Sequence, residues 1–181
     1  MDEGARLYRA WLEGDEQAFS RLVSLYRDGL ILFIARLCGN IDMAEEVAAD
    51  CFADLIIRPR RYNGSVAFKT YLYAIGHHKA VSALRHYARM RTLPFEEAPP
   101  KSIAYASFED EMLRDEQRRE LHAALAHLRE DYRKVLHLLY FEEMSYKEAA
   151  AVLHCSPKKV DNLATRGKQA LRKLMEQEVK R

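Results

Sequence analysis

Apolar residues recur every three or four positions along almost all of this chain, and nowhere do they alternate with polar ones over more than a few residues. That period gives a helix one face to bury and a strand none, so the pattern predicts an all-α fold. A first short helix carries Leu7, Trp11 and Leu12. After Gly14–Asp15 a second runs to about Leu37, burying Phe19, Leu22, Val23, Tyr26, Leu30, Phe33, Ile34 and Leu37, with Gly39–Asn40 as its stop. Asp42 with Glu45 three residues on reads as a capping box for a third helix. Its inward stripe is Ala44, Val47, Ala48, Cys51, Phe52, Leu55 and Ile56. Pro59 ends it, Arg60 to Ser65 has turn chemistry, and a long fourth helix is expected from about Ala67 to Met90.

From Thr92 to Ser107 the period vanishes, and Pro94, Pro99 and Pro100 stand in mixed polar sequence. The predicted organisation is two small helical domains, 1–91 and 108–181, joined by a flexible linker over 92–107. No uncharged apolar run is long enough to span a bilayer, and charges at Asp2, Glu3, Arg6 and Arg9 exclude a secretion signal. No membrane insertion and a cytoplasmic location are therefore expected. The three cysteines show no paired spacing, so neither a disulfide framework nor a zinc module is predicted. Cys38 and Cys51 read as small core residues. His154–Cys155 has no second pair to complete a metal site, and neighbouring His77 and His78 point apart on a helix. No metal and no cofactor are expected.

Near the C-terminus two helix starts lie close together. Ser145 and Glu148 form a capping box that opens a helix from Tyr146 to Leu153. Ser156 then caps a longer helix that begins with Pro157, the residue best suited to a first helical turn. Only His154–Cys155 separates them, which predicts a helix-turn-helix. The second helix has an apolar stripe at Val160, Leu163, Ala164, Gly167, Leu171 and Leu174. That leaves Ser156, Lys158, Lys159, Asp161, Asn162, Thr165, Arg166 and Gln169 as candidates for contact with duplex DNA. Asn162 suits an adenine edge and Arg166 a guanine edge, while lysines hold phosphates.

Charge is segregated along the chain. Residues 1–55 hold five basic and eleven acidic side chains, whereas residues 56–91 hold eight basic and none acidic. That acid-free stretch also carries Tyr62, Phe68, Tyr71, Tyr73 and Tyr87. Cations that track a backbone, interleaved with flat rings, are what an unpaired strand requires, and stacking supplies about 1–3 kcal/mol per base. Part of this aromatic set must be core, since Phe68, Leu72 and Ile75 share a helix face. A second basic block, residues 156–181 with eight basic and three acidic side chains, lies on the helix-turn-helix. The pattern suggests two polyanion-binding surfaces.

With these pieces in place the sequence resembles the extracytoplasmic-function (ECF) group of bacterial RNA polymerase sigma factors over nearly its whole length. The matching signs are Gly14-Asp15-Glu16-Gln17-Ala18-Phe19, Asp42-Met43-Ala44-Glu45-Glu46-Val47 with Phe52, Tyr62-Asn63-Gly64, and Phe68 to Ile75. The C-terminal half adds Ala124 to Glu130, Ser145-Tyr146-Lys147-Glu148-Ala149-Ala150 and Val160-Asp161-Asn162. The resemblance implies that Glu45, Glu46, Asp50 and Phe52 dock on the clamp helices of core RNA polymerase. It implies that the loop near Tyr62–Ser65 captures a base flipped from the downstream promoter element, and that the helix from Lys69 to Arg89 reads and melts that element. The residues implied at the melted DNA are Arg61, Tyr62, Asn63, Ser65, Lys69, His77, His78, Ser82, Arg85, His86 and Arg89. The helix-turn-helix would read the upstream element as duplex, and the linker would thread the polymerase. Members are commonly held inactive by an anti-sigma factor, so such a partner is expected. Ala49 stands where the family usually has Gln, His78 and Ser82 where Asn and Asp are common, and Asp161 where Lys is frequent. His154 replaces a common Gly, so the turn must form without the residue most tolerant of positive φ.

The function expected is that of a transcription initiation factor, not an enzyme: there is no phosphate-binding Gly loop, zinc signature or nucleophile with a base in a known motif. The alternative is a helix-turn-helix regulator that acts without direct polymerase recruitment, which leaves the basic aromatic stretch without a task.

Overall fold

A computed structural model of the chain describes residues 2–90, 121 and 124–178. Among the described residues there are helices and joining segments and no strand, as the apolar period requires. The chain divides into two compact units, residues 1–97 with 151–154, and residues 98–150 with 155–181. The expected linker, 92–107, lies outside the described residues.

The N-terminal unit contains α1 (Glu3–Leu12), α2 (Glu16–Cys38), α3 (Ile41–Ile57) and α4 (Phe68–Met90). Asp2 and Asp15 cap α1 and α2 by accepting from the N–H groups of Ala5 and Ala18, which satisfies donors that a helix start otherwise leaves orphaned. α2 stops where Gly39 enters the left-handed region at φ +68°, a conformation that a Cβ disfavours. The start of α3 corrects the expected capping box. Its cap is Asn40, whose Oδ1 accepts from Met43 N–H at 2.9 Å, and Asp42 already lies in the first turn. The reason is local: Asn40 is extended immediately after the left-handed Gly39, so helix stop and helix start share one two-residue corner. α3 ends at Ile57, two residues before Pro59, whose ring clashes with a preceding turn and which has no N–H to give.

α2 packs against each of the other three helices. Leu22, Leu30, Phe33 and Ile34 of α2 are fully buried, as are Leu55 of α3 and Phe68, Leu72 and Tyr73 of α4. Truncating one of these leucines to Ala would cost about 2–5 kcal/mol in lost transfer energy and cavity. α4 approaches α2 so closely at Gly76 that an added Cβ would stand 2.9 Å from Leu30 Cδ1. Ile56, expected in the inward stripe of α3, is exposed at 54%, and Leu12 of α1 at 46%. α1 docks through Gly4, Ala5 and Tyr8, which leaves Leu12 at the open end of the helix. Ile56 follows the buried Leu55 by one residue, roughly 100° around α3 and off its inner arc.

In the C-terminal unit α5 (Glu130–Leu136) continues into one π-helical turn, His137–Phe141. Leu125, Leu128 and Leu136 form a core against which Leu121, Tyr132, Ala170, Leu171 and Leu174 pack. His137 is buried, its Nε2 lies 3.1 Å from Glu142 Oε1, and its ring stacks on Phe141 at 5.4 Å. α6 (Tyr146–Val152) and α7 (Pro157–Glu178) follow.

Candidate nucleic-acid interface

α6 and α7 form the helix-turn-helix. The capping box at α6 is reciprocal: Ser145 N–H donates to Glu148 Oε2 at 2.8 Å, and Glu148 N–H donates to Ser145 Oγ at 3.3 Å. Ser156 Oγ accepts from Lys159 N–H at 3.2 Å and so caps α7. His154 takes φ +50° in the turn, a left-handed conformation costing a residue with a Cβ about 1–2 kcal/mol. α7 buries Val160, Ala164 and Gly167 and half-buries Leu163, Leu171 and Leu174. Gly167 lets α7 lie close on α5, since a Cβ there would be 3.2 Å from Tyr132 Cβ. Ser156, Lys158, Lys159, Asp161, Asn162, Thr165, Arg166 and Gln169 are all exposed. At about 100° per residue Lys158, Asn162, Thr165, Arg166 and Gln169 share one stripe, with Lys159 and Asp161 on its flanks. Lys168 stands over the exposed Tyr140 ring, 6.0 Å from its centroid, and the phenol's hydrogen bond pushes the lysine pKa up.

The acid-free stretch of the N-terminal unit folds into a loop and α4. In the loop Tyr62 Oη donates to Val66 O at 2.8 Å, Ser65 N–H donates to Asn63 Oδ1 at 3.0 Å, and Gly64 takes φ +74°. Tyr62 is half-buried, edge-on to Tyr8 at 5.6 Å and to Phe68 at 5.2 Å, and 5.1 Å from Tyr71. Its ring is thus anchored within an aromatic cluster, and burial pushes the phenols of Tyr62 and Tyr71 up, keeping both neutral at physiological pH. Arg61, Asn63 and Ser65 are exposed around it.

Along α4, His78, Ser82, Arg85, His86 and Arg89 are exposed, and their spacing puts them on one stripe that continues through Tyr71. Lys69 lies about half a turn away from His78, half-buried, with Nζ 5.7 Å above the Tyr73 ring. His77 is half-buried on the flank. The structure therefore gathers five of the α4 candidates and sets Lys69 and His77 apart.

On α3, Glu45, Glu46 and Asp50 are exposed, as is Asp42. Phe52 is 7% exposed and belongs to the core stripe with Ala48, Cys51 and Leu55, so it supports the helix that presents the three carboxylates. Lys79 of α4 reaches across to Asp54 at 3.1 Å and Asp50 at 3.8 Å. Three residues of α1 and its cap also border the loop and are missed by the sequence reading. Tyr8 Oη donates to Pro59 O at 2.6 Å, Asp2 Oδ2 accepts from Phe68 N–H at 3.1 Å, and Arg9 lines the cleft beside Asn63 and Ser65. No local motif marks them, because each partner lies more than fifty residues away.

The family model for Sigma-70 region 2 matches residues 22–90, and that for Sigma-70 region 4 matches residues 118–171. The RNA polymerase sigma-H factor of Pseudomonas aeruginosa is 30% identical, over 97% of this chain and 95% of the relative. The chain belongs to the ECF group of RNA polymerase sigma factors. The ECF RNA polymerase sigma factor SigW of Bacillus subtilis is 26% identical to this sigma factor, over 89% of the chain and 90% of the relative. The sigma factor RpoE from Bartonella quintana, solved in complex with the anti-sigma factor NepR, shares the fold. Its TM-score is 0.67 at 21% identity, over 87% of this chain and 96% of that one. Region 2 thus covers α3, the loop and α4, and region 4 covers the helix-turn-helix. No helix among the described residues is long and apolar enough to cross a membrane.

Proposed function

We propose that this sigma factor is a transcription initiation factor that binds core RNA polymerase, recognises promoter DNA sequence-specifically and helps melt it. The observation that carries this reading is the presence of two differently built basic surfaces within the two matched regions. One is the exposed stripe of α7, whose short side chains and cations suit the major groove of a duplex. The other joins the aromatic-anchored loop to the α4 stripe, a combination suited to bases out of their stack. Glu45, Glu46 and Asp50 on the outer face of α3 are the proposed polymerase contacts. An anti-sigma factor is the proposed negative partner, on the strength of the complex in which the related fold was solved. A regulator using the helix-turn-helix alone is not favoured, because region 2 accounts for residues 22–90.

Run-off transcription with core polymerase, with and without this chain, tests the reading. Specific start sites are expected only in its presence, and a polymerase indifferent to it overturns the proposal. Within such an assay Tyr62→Ala is expected to impair opening more than closed-complex formation. A premelted template should then restore the signal.

A further inference from the structure

α1 precedes the stretch matched by region 2, and its residues have no place in the interface read from the sequence. In the structure it faces the loop across a cleft of about 750 Å³, lined by Asp2, Ala5, Tyr8, Arg9 and Leu12 on one side and residues 62–67 on the other. That volume falls in the range of about 300–1,000 Å³ that small-molecule sites occupy, ample for one nucleotide. We propose that α1 is the second wall of the site that holds an unpaired nucleotide, with Arg9 taking its phosphate. The inference rests on the single-strand reading of the loop given above and deepens it.

The chemistry of the lining supports this occupant. Arg9 and Asp2 are the charged side chains of the cleft. Asp2 is already committed, accepting from Ala5 N–H and Phe68 N–H with its two oxygens. Arg9 is exposed at the rim, so the guanidinium is the charged group placed to meet an incoming phosphate. Guanidinium is the side chain that pairs most specifically with a phosphate. Leu12 and Val66, 46% and 41% exposed, are unusually open for their type and offer apolar surface to the faces of a base. Asn63 Oδ1 accepts from Ser65 N–H with one of its two lone pairs, and its amide N–H groups can donate to a carbonyl or ring-nitrogen acceptor on a base edge.

The cleft is also held open by groups that touch no DNA. Tyr8 ties Pro59 at the start of the loop, and Asp2 ties Phe68 at its end, so both ends of the loop are pinned to α1. Tyr8 and Asp2 are positioning residues in this scheme, and Arg9 is the contact.

The test uses holoenzyme assembled from core polymerase and the full chain. A fluorescent single-stranded oligonucleotide carries the melted promoter strand identified by mapping the transcript start. Arg9→Ala is expected to weaken binding about five- to tenfold, as loss of one charge-assisted phosphate contact would, and to reduce the salt slope by about 0.7. Arg9→Lys should keep the slope and recover part of the affinity, while binding to duplex upstream DNA stays unchanged. A photoreactive thio-substituted base in the captured position should crosslink to the peptide that contains α1. If Tyr62→Ala weakens the same oligonucleotide but Arg9→Ala does not, the α1 wall is wrong and the loop reading stands. If neither substitution matters, the loop reading itself has failed. Equal losses on duplex and single strand would make Arg9 a diffuse electrostatic contributor and overturn the site.

Discussion

One carboxylate, Asp2, caps two helices, and its conversion to Asn should cost more than a surface substitution normally does. Oδ1 accepts from Ala5 N–H at 3.0 Å in α1, and Oδ2 accepts from Phe68 N–H at 3.1 Å in the first turn of α4. Asparagine has the same shape and caps one helix about as well. It has only one acceptor oxygen, so at the second helix an amide N–H meets a backbone N–H. Leaving the N–H of the buried Phe68 unsatisfied costs about 1–3 kcal/mol. Removing the negative charge from two helix N-termini costs about 0.3–1 kcal/mol at each. The total expected is about 2–5 kcal/mol for Asp2→Asn. Trp11 is the chain's single tryptophan, with ring centroids 5.5 Å from Tyr8 and 4.9 Å from Phe19, so its emission follows the docking of α1. With a urea m-value of about 1–3 kcal/mol per molar, the midpoint followed by Trp11 should fall by about 1 M or more. A shift under about 0.2 M would mean that the two caps are energetically idle and that the loop is not pinned through Asp2.

Other perturbations test the packing and both interfaces. A Cβ at Gly4 would stand 2.5 Å from Tyr26 Oη, 2.8 Å from Tyr26 Cε2 and 2.9 Å from Phe68 Cδ1. Gly4→Ala gains about 1 kcal/mol of helix propensity but meets an overpacking cost of about 1–3 kcal/mol. A net loss of about 1 kcal/mol lowers Tm by about 4–8 °C in a unit of this size; a rise in Tm would show that the rings yield freely. Burial pushes Tyr8 and Tyr26 up from 10 to about 12, and Cys51 from 9 to about 12. The folded unit therefore keeps protons that the unfolded chain releases. Stability is intact below pH 9 and is lost as pH rises towards 12, each group adding up to about 1.4 kcal/mol per pH unit beyond its unfolded pKa. Trp11 emission at fixed urea against pH checks this, and a flat profile to pH 11 contradicts it. Lys158→Ala on α7 should lower the log–log salt slope for duplex upstream DNA by about 0.9. Filter binding over a salt series measures it, and an unchanged slope places Lys158 away from phosphate.

What could be read in the sequence was whatever depends on neighbours within one or two turns. The stop at Gly39, the reciprocal box of Ser145 and Glu148, the cap at Ser156 and the stripe from Val160 to Leu174 are all local, and the structure reproduces them. The cap of α3 was misplaced because Asp42–Glu45 satisfies the same local rule as Asn40, and only the left-handed Gly39 decides between them. Phe52 was legible as core from its place in the α3 stripe, and it is buried there. The α1 wall was invisible because Asp2 and Phe68 are 66 residues apart and no periodicity links them. The inner face of α1 is hard to read because it uses Gly4, Ala5 and Tyr8, two of them too small to register as a stripe.

The charge pattern explains why binding to polymerase should precede binding to open DNA. Asp42, Glu45, Glu46 and Asp50 lie exposed on α3, and the basic stripe lies on α4, its packing neighbour, with Lys79 bridging the two. Packed helices sit about 8–10 Å apart, which is about one Debye length at physiological salt. Exposed charges on the outer faces lie at least that far apart, so the carboxylates oppose the potential of the stripe weakly at physiological salt and more strongly at low salt. A partner that covers the acidic face with its own cations neutralises that opposing field without touching α4. Docking on polymerase through the proposed α3 contacts would relieve that opposing field as well as tether the chain.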